Sequence, residues 1–338
     1  MKFRKVVISL LVAILPAVSG PISFFSVAYS AESAFKKVAV AYPAFGSFML
    51  WFLLEKELGF FREGGLRPEF VLVRGGGLSV KGLIAGNFDY VHNTGAVLDA
   101  IVRGRQRLKI VFTAAKMNYW LVGQPGIRSI TDLKGKAVAT GGPGSITEVT
   151  VREILKRHGM DPLRDVALIG VGLVQDRLSA LTSGSVQAAV LTTPHDFKAV
   201  KMGYRKLAKA TDYVQWPAAG IATREEKIFQ EPLEVAKMVL ASLKGLKFIL
   251  AEREYVVSRM MQMFHLSQDE AVQSYNSLRE EVFVPPGYLA EEEQRAVILF
   301  MREAANVTED VPSERVFDYR FVKQVEQELK GWKPQAPK

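Results

Sequence analysis

The sequence predicts an α/β protein of two lobes, each a largely parallel sheet flanked by helices, and three observations carry that expectation. The first is the run ITDLKGKAVATGGPGSITEVTVREILKRHG at residues 130–159. It reads as a turn, a short buried strand over 137–140, a glycine-rich loop over 141–144, and a helix opened by Ser145 with Glu148 placed to complete a capping box. The second is an internal echo. Gly46-Ser47 and Gly144-Ser145 stand in similar strand-to-helix passages at an offset of 98, and Leu83-x-x-Gly86-x-x-Asp89 recurs at the same offset as Leu181-x-x-Gly184-x-x-Gln187. Glycine after a helix is a common stop, so one echo alone means little. Two at one offset imply two similar lobes with facing strand ends and a cleft between them. The third is the alternation of strands with helices of about ten residues, which marks βαβ units on a parallel sheet.

In chain order, lobe one reads as a strand over 37–41, a helix over 48–58, a turn over 59–66 and a strand over 69–73. A helix ending at Ala85, a strand over 90–92, a helix over 96–103 and a strand over 108–113 follow. Lobe two, residues 123–215, holds the glycine-rich unit, a strand over 166–170, a helix over 175–183 and strands over 188–191 and 206–209. After Trp216-Pro217 the chain is expected to turn helical almost to its end. Segments 232–252, 255–264, 267–281, 291–306 and 313–330 each space apolar residues by three or four, and Ser267 with Glu270 makes a second capping box. These helices complete lobe one, which thereby takes residues 31–122 and 216–338.

The N-terminus carries Lys2, Arg4 and Lys5, an apolar run from Val6 to Val18, and Ala28-Tyr29-Ser30. That is the pattern of a secretory signal cleaved after Ser30, with an apolar run too short for the ~20 residues a bilayer span needs. The mature chain is then not inserted in a membrane. The sequence has no cysteine, which excludes disulfides, thiolate metal sites, thiol catalysis and a lipid-modified cysteine at the cleavage site. Loss of three basic residues lowers the net charge from +9 to +6. No basic run resembles a nucleic-acid patch: Arg103-Gly-Arg105-Gln-Arg107 is short and has no interleaved aromatics.

Three further elements carry a family resemblance. Gly59-Phe-Phe-Arg-Glu-Gly-Gly-Leu66, Leu83-x-x-Gly86-x-x-Asp89 and Ile130-Thr-Asp-Leu-Lys-Gly-Lys136 resemble, in order and spacing, the G-F-F-x-x-x-G-L, L-x-x-G-x-x-D and I-x-x-x-D-L-K-G-K elements of periplasmic solute-binding proteins. The group is that of nitrate, sulfonate and taurine ABC importers, which includes receptors for thiamine pyrimidine precursors. The resemblance covers nearly the whole mature chain. It implies a type II periplasmic binding fold closing on one small solute in the periplasm, and partners in a membrane permease and its ATPase; two lobes joined by ordered crossings, with no long apolar strand in need of a partner, are expected to make a monomer. It implies no cofactor. The alternatives are an enzyme on the same fold, similar to pyrimidine-precursor synthases, and a receptor feeding a sensor or a non-ABC system. The synthases are expected to carry a cysteine-rich segment that this chain lacks.

Ligands of open α/β sheets sit beyond the carboxyl ends of the strands. That rule selects Phe45, Ser47, Arg74, Asn93, Thr94 and Asn118 from lobe one, Gly142, Gly144, Ser145, Ile146 and Thr193 from lobe two, and Trp216 from the hinge. The amides at the start of the helix after Gly144 are unpaired in such a turn and suit an anion, and Ser145 is read as its cap. Arg74 could pair with an anionic solute or a surface carboxylate, and Phe45, Tyr119, Trp120 and Trp216 could stack on an organic body. The four histidines, His92, His158, His195 and His265, stand singly without metal-ligand spacing. No serine lies in a G-x-S-x-G elbow and no carboxylate pair sits together at strand ends, so no catalytic residue is assigned.

Overall fold

The computed structural model describes residues 35–42, 49–73, 75–214 and 216–337, so the expected leader and the site residues Phe45, Ser47 and Arg74 lie outside the described part. Its first half runs β1 (Lys36–Tyr42), α1 (Leu50–Leu58), α2 (Phe60–Glu63), β2 (Leu66–Leu72), α3 (Gly76–Ile84), β3 (Tyr90–Val91), α4 (Thr94–Gly104) and β4 (Leu108–Lys116). The chain then crosses through β5 (Tyr119–Gly123) into β6 (Lys136–Thr140), α5 (Ile146–Arg157), β7 (Val166–Gly170), α6 (Val174–Thr182), β8 (Ala188–Thr192), α7 (His195–Lys201) and β9 (Arg205–Lys209). It returns through β10 (Pro217–Arg224) to α8 (Glu225–Gln230), α9 (Pro232–Ala251), α10 (Arg253–Phe264), α11 (Gln268–Ser277), α12 (Glu291–Ala305), α13 (Ser313–Val316) and α14 (Arg320–Glu328).

Two five-stranded sheets result, ordered β2-β1-β3-β10-β4 and β7-β6-β8-β5-β9. In each, one strand runs against the rest, and it is the crossing strand: β10 lies antiparallel to β3 and β4, and β5 to β8 and β9. The second sheet therefore begins at Tyr119, four residues before the expected start of lobe two at Gly123.

The internal echo is physical. Val40 pairs with Tyr90 and Val138 with Ala188, the same register 98 residues on. The Asp89 side chain accepts the Ala39 amide at 2.8 Å, and the Gln187 side chain accepts the Ala137 amide at 3.2 Å. Gly86 and Gly184 close the preceding helices with φ of 81° and 79°. Left-handed backbone at these helix ends favours glycine, which explains why the motif is visible in sequence.

The largest departure from expectation is β10. Its sequence PAAGIATR has few residues that favour strands, and the alternation that marks a half-buried strand is missing because this strand is buried within the sheet. The expected single helix over 313–330 also breaks. Phe317 bridges to Ile110, and the Asp318 amide reaches the Ile110 carbonyl at 2.9 Å, so sheet pairing ends α13 and α14 starts afresh. α11 passes into a wide π turn over Leu278–Val282, which shortens the helix expected to reach residue 281. Ser267 and Glu270 form the complete reciprocal cap.

The first lobe's core gathers α1, α9 and α14 behind its sheet. The buried stripe of α9 includes Val235, Met238, Val239, Leu246 and Ile249, each at the level that stabilises a fold by roughly 1.5–3 kcal/mol. Gly245 lets α9 approach α1 closely, because a Cβ there would lie 2.7 Å from Glu55 Oε1 and 2.8 Å from the Trp51 carbonyl. Two smaller apolar clusters cover the faces of the second sheet, one around Val138, Val151 and Leu155 and the other around Ala139, Val174 and Leu191.

Candidate functional site between the two sheets

The segments that follow β2, β3 and β4 of the first sheet meet those that follow β6 and β8 of the second. The lobes touch there. Asn118 Nδ2 donates to Thr193 Oγ1 at 3.0 Å, and both residues are buried. A Cβ on Gly95 would stand 2.7 Å from Ile146 Cδ1, and one on Gly75 would stand 3.8 Å from the Gly141 carbonyl. At the side of the cleft, Lys198 donates to the Phe264 carbonyl at 3.0 Å, while Lys201 and Lys209 pair with Glu270 at 2.9 Å and Glu281 at 2.7 Å.

The glycine-rich turn is more self-contained than a bare anion receptor. Ser145 caps α5, its hydroxyl accepting the Glu148 amide at 3.2 Å. Glu148 does not return to the Ser145 amide; it accepts the Gly144 amide at 2.8 Å, and the Ser145 amide donates to the Gly142 carbonyl at 3.0 Å. The Gly141 amide is taken by Thr147 Oγ1 at 2.7 Å and the Gly142 amide by Thr140 Oγ1 at 3.2 Å. Ile146 and Thr147 supply the amides of the turn with no assigned internal acceptor among the described residues. Gly142 has φ of 104° and packs on Gly170, whose Cβ would fall 2.9 Å from the Gly142 Cα, so part of its role is close packing. Gly144, with φ of 71°, faces open space.

In lobe one, Asn93 is the N-cap of α4, accepting the Ala96 amide at 3.2 Å. Thr94 is fully buried and its hydroxyl has no partner among the described residues. Trp216 stacks edge-on against Phe300 at 5.4 Å, and its carbonyl accepts the Met117 amide at 3.2 Å, which places it between the two crossings with its ring toward α12. A groove of about 590 Å³ opens where Gly75–Gly77 and the helices behind them meet Gly141–Gly144. Leu78 and Ile84 stand in its walls.

Further buried polar groups stand outside the set that the sequence selects. Arg177 in the first turn of α6 is 3 % exposed, and its Nε and one terminal nitrogen have no hydrogen-bond partner among the described residues. The indole of Trp51, both nitrogens of His92 and the hydroxyl of Thr192 are likewise buried and without a partner among the described residues. The signal for Arg177 was present: Val174, Leu178 and Leu181 make an apolar stripe, and an arginine at position 177 falls inside it rather than opposite it.

Burial fixes the charge states here. The His92 imidazole packs 3.6 Å from the Phe52 ring centroid and 5.1 Å from that of Trp51, and burial pushes its pKa down to about 3. His195 falls to about 4 through burial and the nearby Lys198 and Arg177 charges. Both are neutral when folded, yet take up a proton in the unfolded chain below its ordinary value of 6.5. Stability is therefore expected to fall as pH drops from about 6.5 toward 4, by up to about 1.4 kcal/mol per pH unit for each imidazole. Thermal melts of the wild type and of His92→Phe between pH 6.5 and 5, above the carboxylate range, check this. The variant should show the shallower slope; equal slopes would mean that His92 is charged in the fold.

Two sheets of like order, joined by two crossings and meeting at their strand ends, define the two-lobed fold of periplasmic binding proteins. Solved structures agree in fold. A protein from Bordetella bronchiseptica RB50 has a TM-score of 0.76 at 19% identity over 87% of this chain and 98% of that one. The alkanesulfonate-binding protein of Xanthomonas axonopodis pv. citri bound to MOPS has a TM-score of 0.66 at 17% identity, covering 86% of this chain and 97% of that one. The periplasmic nitrate-binding protein of Synechocystis PCC 6803 has a TM-score of 0.68 at 12% identity, covering 88% and 89%. The chain belongs to the NMT1/THI5-like family, whose model matches residues 49–255. No curated protein sequence matches it.

Proposed function

We propose that the protein is the periplasmic receptor of an ABC importer. It captures a small anionic or polar organic solute between its lobes, by binding alone, and hands it as a monomer to a permease driven by an ATPase. The observation that carries this reading is the junction itself: two repeated α/β lobes meet at their strand ends, where Asn118 and Thr193 touch and several buried polar groups lack partners. The structural neighbours that bind alkanesulfonate or nitrate support it by fold. Closure over a solute removes water from the strand ends, and hydrogen bonds made there strengthen in the lower dielectric. The proposed contacts are those selected from sequence: Phe45, Ser47, Arg74, Asn93, Thr94 and Asn118 from lobe one, Gly142, Gly144, Ser145, Ile146 and Thr193 from lobe two, and Trp216 at the hinge. The lysines that reach from lobe two to α10 and the segment following it, Lys198, Lys201 and Lys209, would hold the closed form.

A thermal-shift screen over carboxylates, sulfonates, nitrate, bicarbonate and pyrimidines should identify a stabilising solute, since a ligand at a hundred times its Kd adds about 2.7 kcal/mol. X-ray scattering with that solute is expected to show a monomer with a smaller radius of gyration than without it. Unchanged dimensions at saturation would remove hinge closure from the mechanism.

A further inference from the structure

We propose that Arg177 is the anion-holding residue of the cleft, its guanidinium taking the carboxylate or sulfonate head of the solute at the strand ends of lobe two. This rests on the receptor reading and narrows its ligand to an anion.

Two fully buried cations can be compared among the described residues, Arg177 and Lys227. Lys227 is compensated by three carboxylates, Glu234 at 2.8 Å, Asp89 at 3.0 Å and Glu231 at 3.7 Å. Arg177 has no carboxylate at ion-pair distance among the described residues, and two of its nitrogens have no hydrogen-bond partner. The acids nearby are otherwise placed. Asp196 pairs with Lys206 at 2.7 Å, and that ammonium also lies over the Trp120 ring at 4.4 Å. Asp176, the preceding residue, acts on Arg177 only through space. An uncompensated buried charge is costly to a fold, so it needs a reason other than stability.

The position supplies that reason. α6 begins just after the end of β7, so its first turn stands at the edge where the cleft lies. Tyr119, which opens β5 opposite Thr192, and His195, which opens α7, both lie within electrostatic reach of the guanidinium. His195 is neutral and adds no competing charge. The fork of an arginine matches the paired oxygens of a carboxylate or sulfonate, and Thr192 and His195 add unpartnered polar atoms at the same strand end. The α5 turn, by contrast, already holds the chain's own Glu148 carboxylate.

The test uses acetate, benzoate, methanesulfonate, sulfate and nitrate, with acetamide, benzamide and methanesulfonamide as uncharged counterparts, titrated calorimetrically into wild type, Arg177→Met and Arg177→Lys. At least one anion is expected to bind the wild type and its amide not to. Arg177→Met should weaken that anion by roughly tenfold to a hundredfold while melting no lower than the wild type without solute. Arg177→Lys, which keeps the charge without the fork, should fall between, and it serves if the methionine variant does not fold. Anion affinity within threefold of wild type in a folded Arg177→Met overturns the assignment, as do amides that bind as tightly as their anions. In both cases the receptor reading stands. Silence from anions and amides alike overturns the assignment and the receptor reading together.

Discussion

Gly220→Ala is expected to abolish folding of the first lobe, although it adds one methyl group. Gly220 lies in β10, an interior strand of the first sheet between β3 and β4, opposite Thr113. A Cβ there would run into the Phe112 carbonyl and stand 2.9 Å from its carbon and 3.0 Å from Thr113 Cα. All three atoms are backbone, so no rotamer change gives relief. The ladder is already irregular at this point, with register shifts on both sides, and the Thr113 amide donates across to the Gly287 carbonyl at 2.8 Å. Moving β4 aside would break that bond and disturb the Phe112 ring, which is buried beside Trp51. Overpacking that reaches into backbone costs more than the usual ~1–3 kcal/mol, and a domain commonly has only ~5–15 kcal/mol in total. Gly126→Ala is the control, since nothing lies within 4 Å of its added Cβ. Circular dichroism melts of the two variants read the difference. A Gly220→Ala protein melting within a few degrees of Gly126→Ala would mean that β10 and β4 are less closely paired than described.

The same strand shows where sequence reasoning stops. Elements with local causes were legible. Ser145 and Ser267 sit at helix starts and accept the amides three residues on, and the Asp89 and Gln187 echoes tie the equivalent strands of the two lobes. Elements whose cause is non-local were not. β10 is a strand because it completes a sheet begun more than a hundred residues earlier, and its alanines and glycine suit a crowded interior rather than a local preference for extended chain. Phe317 leaves its helix because Ile110 offers a bridge. The site divides in the same way. Loops at strand ends could be located from topology alone, and two residues selected on that ground, Asn118 and Thr193, touch each other across the lobes. Whether Asn93 caps a helix, which way the Trp216 ring turns, and that Arg177 is buried without a counter-charge all depend on side-chain packing between distant segments.

Gly95→Leu is expected to leave a folded protein that binds its solute about tenfold to a hundredfold more weakly, through an overpacking cost of ~1–3 kcal/mol in the closed form alone. Gly95 is in the first turn of α4, and its nearest foreign atoms are Ile146 Cδ1 at 2.7 Å from an added Cβ and the Pro217 carbonyl at 3.4 Å. Ile146 belongs to the other lobe, so separation of the lobes relieves the close contact without disturbing either core, while the Pro217 carbonyl, in β10 of the first sheet, stands at the edge of ordinary van der Waals distance. The helix itself gains, because leucine is favoured over glycine in helices by roughly 0.5–1 kcal/mol. Stability without solute should therefore hold or rise while affinity falls, a combination that simple misfolding does not produce. Ile146→Ala in the same chain removes the atom in the way and should restore part of the lost affinity, giving a coupling between residues that meet only when the lobes do. Calorimetry on the two single variants and the double variant, with the solute found in the screen, measures that coupling. Unchanged affinity in a folded Gly95→Leu protein would mean that the solute is held without α4 and α5 coming together, and the proposed closure would have to be abandoned.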